Sequence, residues 1–335
     1  MSRKIWLSVY FAGVLCAGGF AGSAAAEVTH ITVARQYGVS YLPLMVMQHE
    51  NLIEKEARKE GLAKLTVDWP RFTGGNVMND AILSGSLQFA SGGVGPLVKI
   101  WAATKGAVKG VCAMNTMPLF LTTTNPNVKS IKDFTDKDRI ALPAVKVSIQ
   151  AVTLEMAAAK EFGSSQYDKL DHLTVTMSHP DGMQAMLSGA SEIDSHFTSP
   201  PFQYQELENP KVHKVLSSYD VLGGPSTFNV IWTTAKFKRE NPKVYRAFFN
   251  AFKDAIRTID HDKHKAAGDY VAWTHSKLTP EFIYKILASP GVSFTITPKN
   301  TIKYANFMYK HGIIKTEPKS WKTYFFSNVD ALSGS

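Results

Sequence analysis

Ala81-Ile82-Leu83-Ser84-Gly85 and Ala185-Met186-Leu187-Ser188-Gly189 are nearly the same segment, repeated 104 residues further along the chain. Each copy ends an apolar helical stretch and precedes a short strand-like run, Leu87 to Ala90 in the first case and Ile193 to His196 in the second. A helix–glycine–strand unit that occurs twice predicts two similar α/β lobes with a ligand cleft between them. Because five-residue similarities also arise by chance, the repeat needs support from the rest of the chain.

That support comes from the alternation of strand and helix patterns along the chain, which predicts α/β lobes with mostly parallel sheets covered on both faces. Further strands are expected at 30–34, 64–69, 108–113, 119–124, 139–142, 173–177 and 228–233, and helices at 42–59, 95–104, 147–162 and 181–187. From Pro242 onward the pattern is helical. Val244, Phe248, Phe252 and Ile256 recur at four-residue steps and mark one buried face, so we expect this region to pack on the first lobe.

Length and composition indicate an exported globular protein of about two domains. The chain has 335 residues, of which 44% are apolar and 19% charged. A basic start, an apolar stretch and Ala24-Ala25-Ala26 predict a signal peptide over residues 1–26, cleaved near Ala26, and therefore a periplasmic location. A membrane anchor is the alternative, but the apolar stretch is short. Cleavage leaves Cys112 alone, so no internal disulfide is expected.

The charge distribution argues against a nucleic-acid partner. The formal net charge is +9, but the lysines are dispersed, with no basic arm and no arginine–aromatic array. We expect a monomer that takes a small-molecule solute.

Several polar loops follow predicted strands or begin predicted helices, which is where α/β folds bind ligands. The loops are 36–41, 74–76, 91–95, 143–150, 179–182, 196–202 and 227–229. Among their residues, Tyr37 and Tyr41 are candidates to stack on a ligand or are ordinary rim aromatics. Asn76 and Ser148 are candidates for ligand contact or simple helix caps. Asn229 and Phe197 complete the residues proposed from the loops.

His179, Asp181 and His196 are the one group that suggests a metal or an enzyme. No third ligand stands at a recognisable spacing, and Asp181 suits a helix cap. Ser91-Gly92-Gly93-Val94-Gly95 fails the dinucleotide fingerprint because Val98 occupies the place of the third glycine. We therefore expect no metal, no cofactor and no catalytic residue, while His196 remains a candidate for polar contact with a ligand.

The order of these motifs resembles a known family. The Gln36-Tyr37-Gly38 loop, the Gly74-Gly75 turn, the Leu83-Ser84-Gly85 helix end and the Ser91-Gly92-Gly93 loop are followed by Val128-Lys129-Ser130-Ile131-Lys132-Asp133-Phe134. From about residue 31 to 238 the chain looks like the periplasmic solute-binding proteins of nitrate/sulfonate/taurine-type ABC importers. Relatives of that family bind a pyrimidine precursor of thiamine.

The resemblance implies a two-lobed, type II-like periplasmic-binding-protein fold with a hinge, in which lobe 1 spans 27–116 plus 229–335 and lobe 2 spans 117–228. It implies capture of a small polar or anionic solute by closure and delivery to permease subunits at the inner membrane. The family's pocket loops fall on Tyr37, Gly75, Asn76, Ser91, Gly92, Ser148 and His196. The solute stays open among sulfonate, nitrate, pyrimidine and aromatic acid. An enzyme on the same fold and an extracytoplasmic ligand sensor are the alternative functions.

Overall fold

The computed structural model describes residues 26–335. The predicted signal peptide lies outside the described residues, apart from Ala26. Within residues 26–335, no helix is both long enough and apolar enough to cross a membrane.

The described residues form twelve named strands and thirteen α-helices. The strands are β1 (His30–Thr32), β2 (Thr66–Asp68), β3 (Ala90–Gly93), β4 (Val108–Ala113), β5 (Asn115–Thr116), β6 (Phe120–Thr123), β7 (Ile140–Leu142), β8 (Thr174–Thr176), β9 (Ser195–Thr198), β10 (His213–Ser217), β11 (Asn229–Thr234) and β12 (Ser293–Phe294). The helices are α1 (Leu42–His49), α2 (Leu52–Lys59), α3 (Gly75–Ser84), α4 (Val94–Ala103), α5 (Ile149–Phe162), α6 (His179–Ser188), α7 (Phe202–Leu207), α8 (Ser218–Leu222), α9 (Ala235–Glu240), α10 (Pro242–His261), α11 (Lys263–Thr274), α12 (Pro280–Leu287) and α13 (Thr301–Lys310).

The sheets divide these elements into two lobes. Lobe 2 holds one sheet of order β10-β6-β9-β7-β8. Lobe 1 holds the sheet β3-β11-β4 and the pairs β1-β2 and β12-β5. The chain therefore passes between the lobes twice, between β5 and β6 and again between α8 and β11. This confirms the two-lobed α/β fold, while the exact lobe boundaries at 116/117 and 228/229 stay a prediction.

Parallel pairing is less prevalent than the strand–helix alternation predicts. β1-β2, β7-β8 and β7-β9 are parallel, but β11 runs antiparallel to both of its neighbours, as does β6 to both of its own. β6 and β11 are the first strands after the chain crosses from one lobe to the other. They enter their sheets without a preceding crossover helix of the kind that makes consecutive strands parallel.

The repeated pentapeptide ends a helix in each lobe with the same hydrogen bonds. α3 ends at Ser84 and α6 at Ser188, and the following glycines, Gly85 and Gly189, adopt the left-handed conformation with φ of 79° and 63°. Glycine reaches this conformation without a steric penalty. The Ser84 hydroxyl donates to the Ala81 carbonyl at 3.0 Å, and the Ser188 hydroxyl makes the same bond to the carbonyl three residues before it, also at 3.0 Å.

Two local predictions are wrong. The helix expected over 42–59 is two helices, because Asn51 adopts a left-handed conformation between α1 and α2. The segment Ser91-Gly92-Gly93, expected as a loop, belongs to strand β3, paired with Ile231, Val230 and Asn229 of β11. Hydrogen bonding to a buried neighbouring strand outweighs the weak strand preference of glycine here.

The helical C-terminal region packs on lobe 1, as expected, and its helix α13 also contacts α5 of lobe 2. α10 lies against α1 and α2, and its buried face includes Val244, Phe248 and Phe252, as the sequence predicts. Ile256 is only half-buried, and Ile259 takes its place in the core. Phe248 stacks on Phe89 with ring centroids 3.8 Å apart, which anchors α10 to the segment that leads into β3.

Candidate functional site between the lobes

A narrow cavity, here called the central cavity, lies where the two lobes meet. Its empty space is about 280 Å³ when the open mouth is included, and the enclosed part has room for about one water molecule. Both lobes contribute to its wall, which consists of Gln36, Tyr41, Gly75, Gly93, Pro96, Pro143, Ser148, Ile149, Gln150, His179 and Phe228. No Lys, Arg, Asp or Glu of residues 26–335 lines it.

Four helices begin at the central cavity, two from each lobe. α3 begins at Gly75 and α4 follows directly on Gly93. α5 is capped by Ser148, and α6 begins at His179. The first N–H groups of a helix have no partner inside the helix and carry a partial positive charge, so each start favours an anion or a polar oxygen by about 0.3–1 kcal/mol. Four such starts place partial positive charge at the cavity wall, which has no charged side chain of residues 26–335, while the Asp181 carboxylate offsets part of that charge in the first turn of α6.

Glycines of lobe 1 allow the lobes to approach each other closely. A Cβ at Gly93 would lie 2.6 Å from the Cβ of Ile149, and a Cβ at Gly74 would lie 2.9 Å from the Pro143 carbonyl oxygen. Beside them, the Val39 N–H donates to the Pro200 carbonyl across the interface at 3.2 Å. The described arrangement is therefore a closed one, and side chains at these glycines would oppose it.

A buried amide network holds Tyr41 at the cavity wall. The Asn229 amide donates to the Tyr41 hydroxyl at 3.0 Å, and the Asn115 amide donates to the side-chain oxygen of Asn229 at 3.2 Å. Asn115 also donates to the Ser40 carbonyl at 2.8 Å. Burial raises the pKa of the Tyr41 phenol well above its ordinary value, so the group stays protonated and keeps its hydrogen-bonding proton.

Among residues 26–335, His179 is the one histidine whose ring lines the central cavity. Burial, aided by the neighbouring His196, holds its pKa well below the ordinary value, so the ring is neutral at physiological pH. Its Nδ1 lies 2.9 Å from the Thr198 hydroxyl and its Nε2 lies 3.5 Å from the Gln150 amide nitrogen. A neutral imidazole held in this way is a fixed polar group and adds no charge to the site.

The predicted site residues fall into three groups. Tyr41, Gly75 and Ser148 line the central cavity, and Asn229 lies behind Tyr41. Tyr37 lines a neighbouring cavity, and Asn76 is exposed to solvent. Ser91, Gly92 and Phe197 are buried in strands and do not line the central cavity; the Ser91 hydroxyl donates to the Ala34 carbonyl at 2.6 Å.

His196 is fully buried one layer behind the cavity wall. Its Nδ1 lies 2.6 Å from Oε1 of Glu206, whose other oxygen accepts from the Thr122 hydroxyl at 2.6 Å. Its Nε2 faces Gly182, at which a Cβ would lie 2.8 Å away. Ligand contact by His196 stays a prediction, since in the described arrangement Gly182 and His179 stand between it and the cavity.

The group His179, Asp181 and His196 does not form a metal site in the described structure. Asp181 is exposed and accepts a hydrogen bond from Ser178, the cap of α6, at 2.5 Å. The two imidazole rings lie 5.6 Å apart, and no set of three His, Cys, Asp or Glu side chains among residues 26–335 is arranged to hold a metal ion.

The loops selected from the sequence reach the central cavity more often than the individual residues selected within them. Gln36, Gly93, Gln150, His179 and Phe228 all lie in loops selected for their position after a strand or before a helix, yet none was chosen as a contact. Of the selected loops, only 196–202 contributes nothing to the central cavity. The position of a loop at a strand end indicated that it would lie near the cavity, whereas the sequence does not indicate in which direction each side chain points.

The fold matches solved periplasmic binding proteins. The alkanesulfonate-binding protein from Xanthomonas axonopodis pv. citri bound to MOPS superimposes with a TM-score of 0.70 and 16% identity, over 88% of this chain and 96% of that one. A Candida albicans protein with the generic periplasmic binding protein fold gives a TM-score of 0.69 and 12% identity, over 89% and 96% of the two chains. The periplasmic nitrate-binding protein from Synechocystis PCC 6803 gives 0.58 and 14%, over 77% and 70%.

At these identities the comparisons establish the fold. No protein-family model matches the sequence, and no curated protein matches it significantly. The chain thus has the periplasmic-binding-protein fold, and the bacterial neighbours named above are solute-binding proteins.

Proposed function

We propose that this chain, which has the periplasmic-binding-protein fold, captures a small polar or anionic organic solute in the central cavity by closure of its two lobes. The observation that carries this is the meeting of four helix N-termini, two from each lobe, at one cavity without a charged side chain. Such a site attracts an oxyanion through N–H groups whose positive ends are fixed by the fold.

Closure follows from the division of the wall between the lobes. Gln36 and Tyr41 belong to lobe 1, whereas Ser148, Gln150 and His179 belong to lobe 2. A solute that contacts both sets is held more tightly when the lobes meet than when they are apart, so it shifts the open–closed equilibrium toward the closed state. The narrow cavity, about 280 Å³ with its open mouth included, favours a compact anionic group such as a sulfonate, nitrate or carboxylate, for which the lobes would have to open slightly.

The proposed partner is a membrane permease. The Xanthomonas and Synechocystis neighbours are an alkanesulfonate-binding and a periplasmic nitrate-binding protein, and the resemblance found in the sequence is to binding components of ABC importers. Together with the predicted signal peptide, this supports a periplasmic binding component that delivers its solute to permease subunits at the inner membrane.

Thermal unfolding of the purified chain with single solutes tests the proposal. Suitable solutes are nitrate, methanesulfonate, taurine and an aminopyrimidine, with chloride at equal ionic strength as the control. A specific solute at 100 times its Kd should add about 2.7 kcal/mol of stability. Recovery of that solute unchanged after prolonged incubation is expected of a binding protein. Absence of any shift would contradict solute binding, and chemical conversion would support an enzyme instead.

A further inference from the structure

A second cavity, here called the arginine pocket, lies beside the central cavity on the same interface. Its volume is about 210 Å³. Lobe 1 supplies most of its wall and lobe 2 closes one side through Met183 of α6 and through residues at the start of α7. The wall consists of Arg35, Tyr37, Gly38, Met45, Arg71, Met183, Pro201, Phe202, Gln205, Tyr270, Thr274, Ser276 and Leu278.

Arg35 is a buried cation without a partner. The residue is only 8% exposed, and among residues 26–335 its guanidinium makes no hydrogen bond or ion pair, with Nε fully enclosed. Burial and the charge of Arg71 lower the pKa of the guanidinium to about 10, so Arg35 is still charged at neutral pH. A buried charge without a counter-charge is unfavourable, and proteins normally pair it.

Arg71 adds a second positive charge to the same pocket. Arg35 and Arg71 are partners in a parallel β-bridge, which directs the two side chains to the same face. The Arg71 guanidinium lies 5.4 Å from the ring centroid of Tyr37, within range of a cation–π contact. Asp269, an acidic residue on neighbouring α11, is already paired with Lys265 at 2.6 Å. Two adjacent guanidinium groups thus face a cavity whose wall contains no carboxylate of residues 26–335.

The remaining wall suits a flat organic body. Phe202 and Tyr270 are buried, and with Tyr37 they place three aromatic rings around the two arginines. The His179 and Phe202 rings stack with centroids 5.7 Å apart, and this pair separates the arginine pocket from the central cavity. The two cavities therefore differ in chemistry: one presents helix N-termini, and the other presents guanidinium groups between aromatic rings.

We propose that the arginine pocket is a second anion-binding site, which takes the oxyanion group of a flat organic acid between Arg35 and Arg71. The guanidinium fork matches the geometry of a carboxylate or sulfonate, and the rings contact the planar remainder. An acid bound there would supply the missing counter-charge of Arg35. The site is separate from the central cavity, and the proposal does not depend on which solute that cavity binds.

Calorimetric titration of the purified chain with benzoate tests this proposal. Benzenesulfonate extends the test to a second oxyanion, benzamide is the neutral analogue of the same shape, and acetate lacks the ring. We expect saturable binding of benzoate or benzenesulfonate and at least tenfold weaker binding of benzamide and acetate. Equal binding of benzamide, or no binding of either aromatic anion, would overturn the proposal.

Substitutions in the two cavities show which of them binds the aromatic anion. Arg71→Gln and Arg35→Met should each weaken binding of the aromatic anion at least tenfold, whereas Arg58→Gln, at an exposed arginine of α2, should leave it unchanged. Arg35→Met should fold as stably as the parent chain because it removes an unpaired buried charge. If this variant does not fold, Arg71→Gln tests the proposal alone, because Arg71 is exposed. Ser148→Ala, at the central cavity, should leave this affinity unchanged. Loss of binding in Ser148→Ala with full binding in Arg71→Gln would assign the anion to the central cavity and overturn the proposal.

Discussion

Gly93 of lobe 1 lies directly against Ile149 of lobe 2, so that a Cβ on the glycine would come within 2.6 Å of the isoleucine Cβ. Gly93 precedes α4, and Ile149 is the first residue of α5. One contact thus brings together the starts of two helices from different lobes. Real Cβ atoms do not approach to this distance, so the closed arrangement depends on the absence of a side chain at position 93.

Gly93→Ala should hold the lobes apart. The added methyl group has no room against Ile149 unless α5 moves, and that movement opens the central cavity. We expect a larger radius of gyration by small-angle scattering and at least tenfold weaker binding of whichever probe solute stabilises the parent chain.

Gly268→Ala is the matched control for Gly93→Ala. An added Cβ at Gly268, inside α11, meets nothing within 4 Å. This change should leave scattering and binding unchanged and add about 0.5–1 kcal/mol of stability, because alanine favours a helix interior. If Gly93→Ala behaves like this control, the lobes do not close through this contact.

Alanine variants of Ser148 and Ser178 distinguish a role in helix capping from a role in solute binding. Both side chains accept a hydrogen bond from the first turn of their helix, α5 and α6, but only Ser148 lines the central cavity. Replacement by alanine should cost about 1 kcal/mol of stability at either position. Solute affinity, measured by titration, should fall only in Ser148→Ala. Equal affinity in the two variants would show that Ser148 is a cap and nothing more.

The repeated pentapeptide correctly predicted a helix end in each lobe, because short-range contacts determine this feature. A serine and a glycine at a helix end specify a turn through short-range hydrogen bonds and a left-handed glycine, and both copies form it as expected. Periodicity likewise identified the buried face of α10, since core contact requires apolar residues at helical spacing. Asn51 shows the limit of this reasoning, because one left-handed residue divides a stretch that is otherwise continuous in its helical pattern.

The candidate site was harder to predict because its members meet only through tertiary packing. Position on the chain favoured His196, at the end of a predicted strand, yet the side chain that reaches the central cavity is His179, at the start of α6. His196 instead lies against Gly182, a contact that has no local signature in the sequence. Arg35 was not predicted as a site residue for the same reason, since an arginine without a partner can be recognised only when its surroundings in the structure are known.

His179 and His196 should respond differently to replacement. His196→Ala leaves Glu206 buried without its partner, so we expect a loss of about 3–5 kcal/mol in denaturant unfolding. His179→Ala removes a neutral group from the cavity wall and should lower solute affinity with a smaller loss of stability. A stable His196→Ala protein that no longer binds solute would instead support the direct contact predicted from the sequence.

Glu155 should make the protein less stable as the pH rises from about 4.5 to about 8. This residue of α5 is only 3% exposed and its Oε2 has no hydrogen-bond partner among the described residues. Burial, aided by the charge of Asp171, raises the pKa of the carboxyl from 4.5 to about 8, so the folded state binds a proton that the unfolded state has already released. The contribution of Glu155 to stability is therefore complete below pH 4.5 and is lost progressively up to about pH 8, by a few kcal/mol in all. Glu155→Gln removes this decline, whereas Glu161→Gln, at the exposed end of the same helix, should keep it. Urea unfolding at pH 5, 7 and 9 measures the difference, and parallel curves for the parent chain and Glu155→Gln would rule out a buried neutral carboxyl at this position.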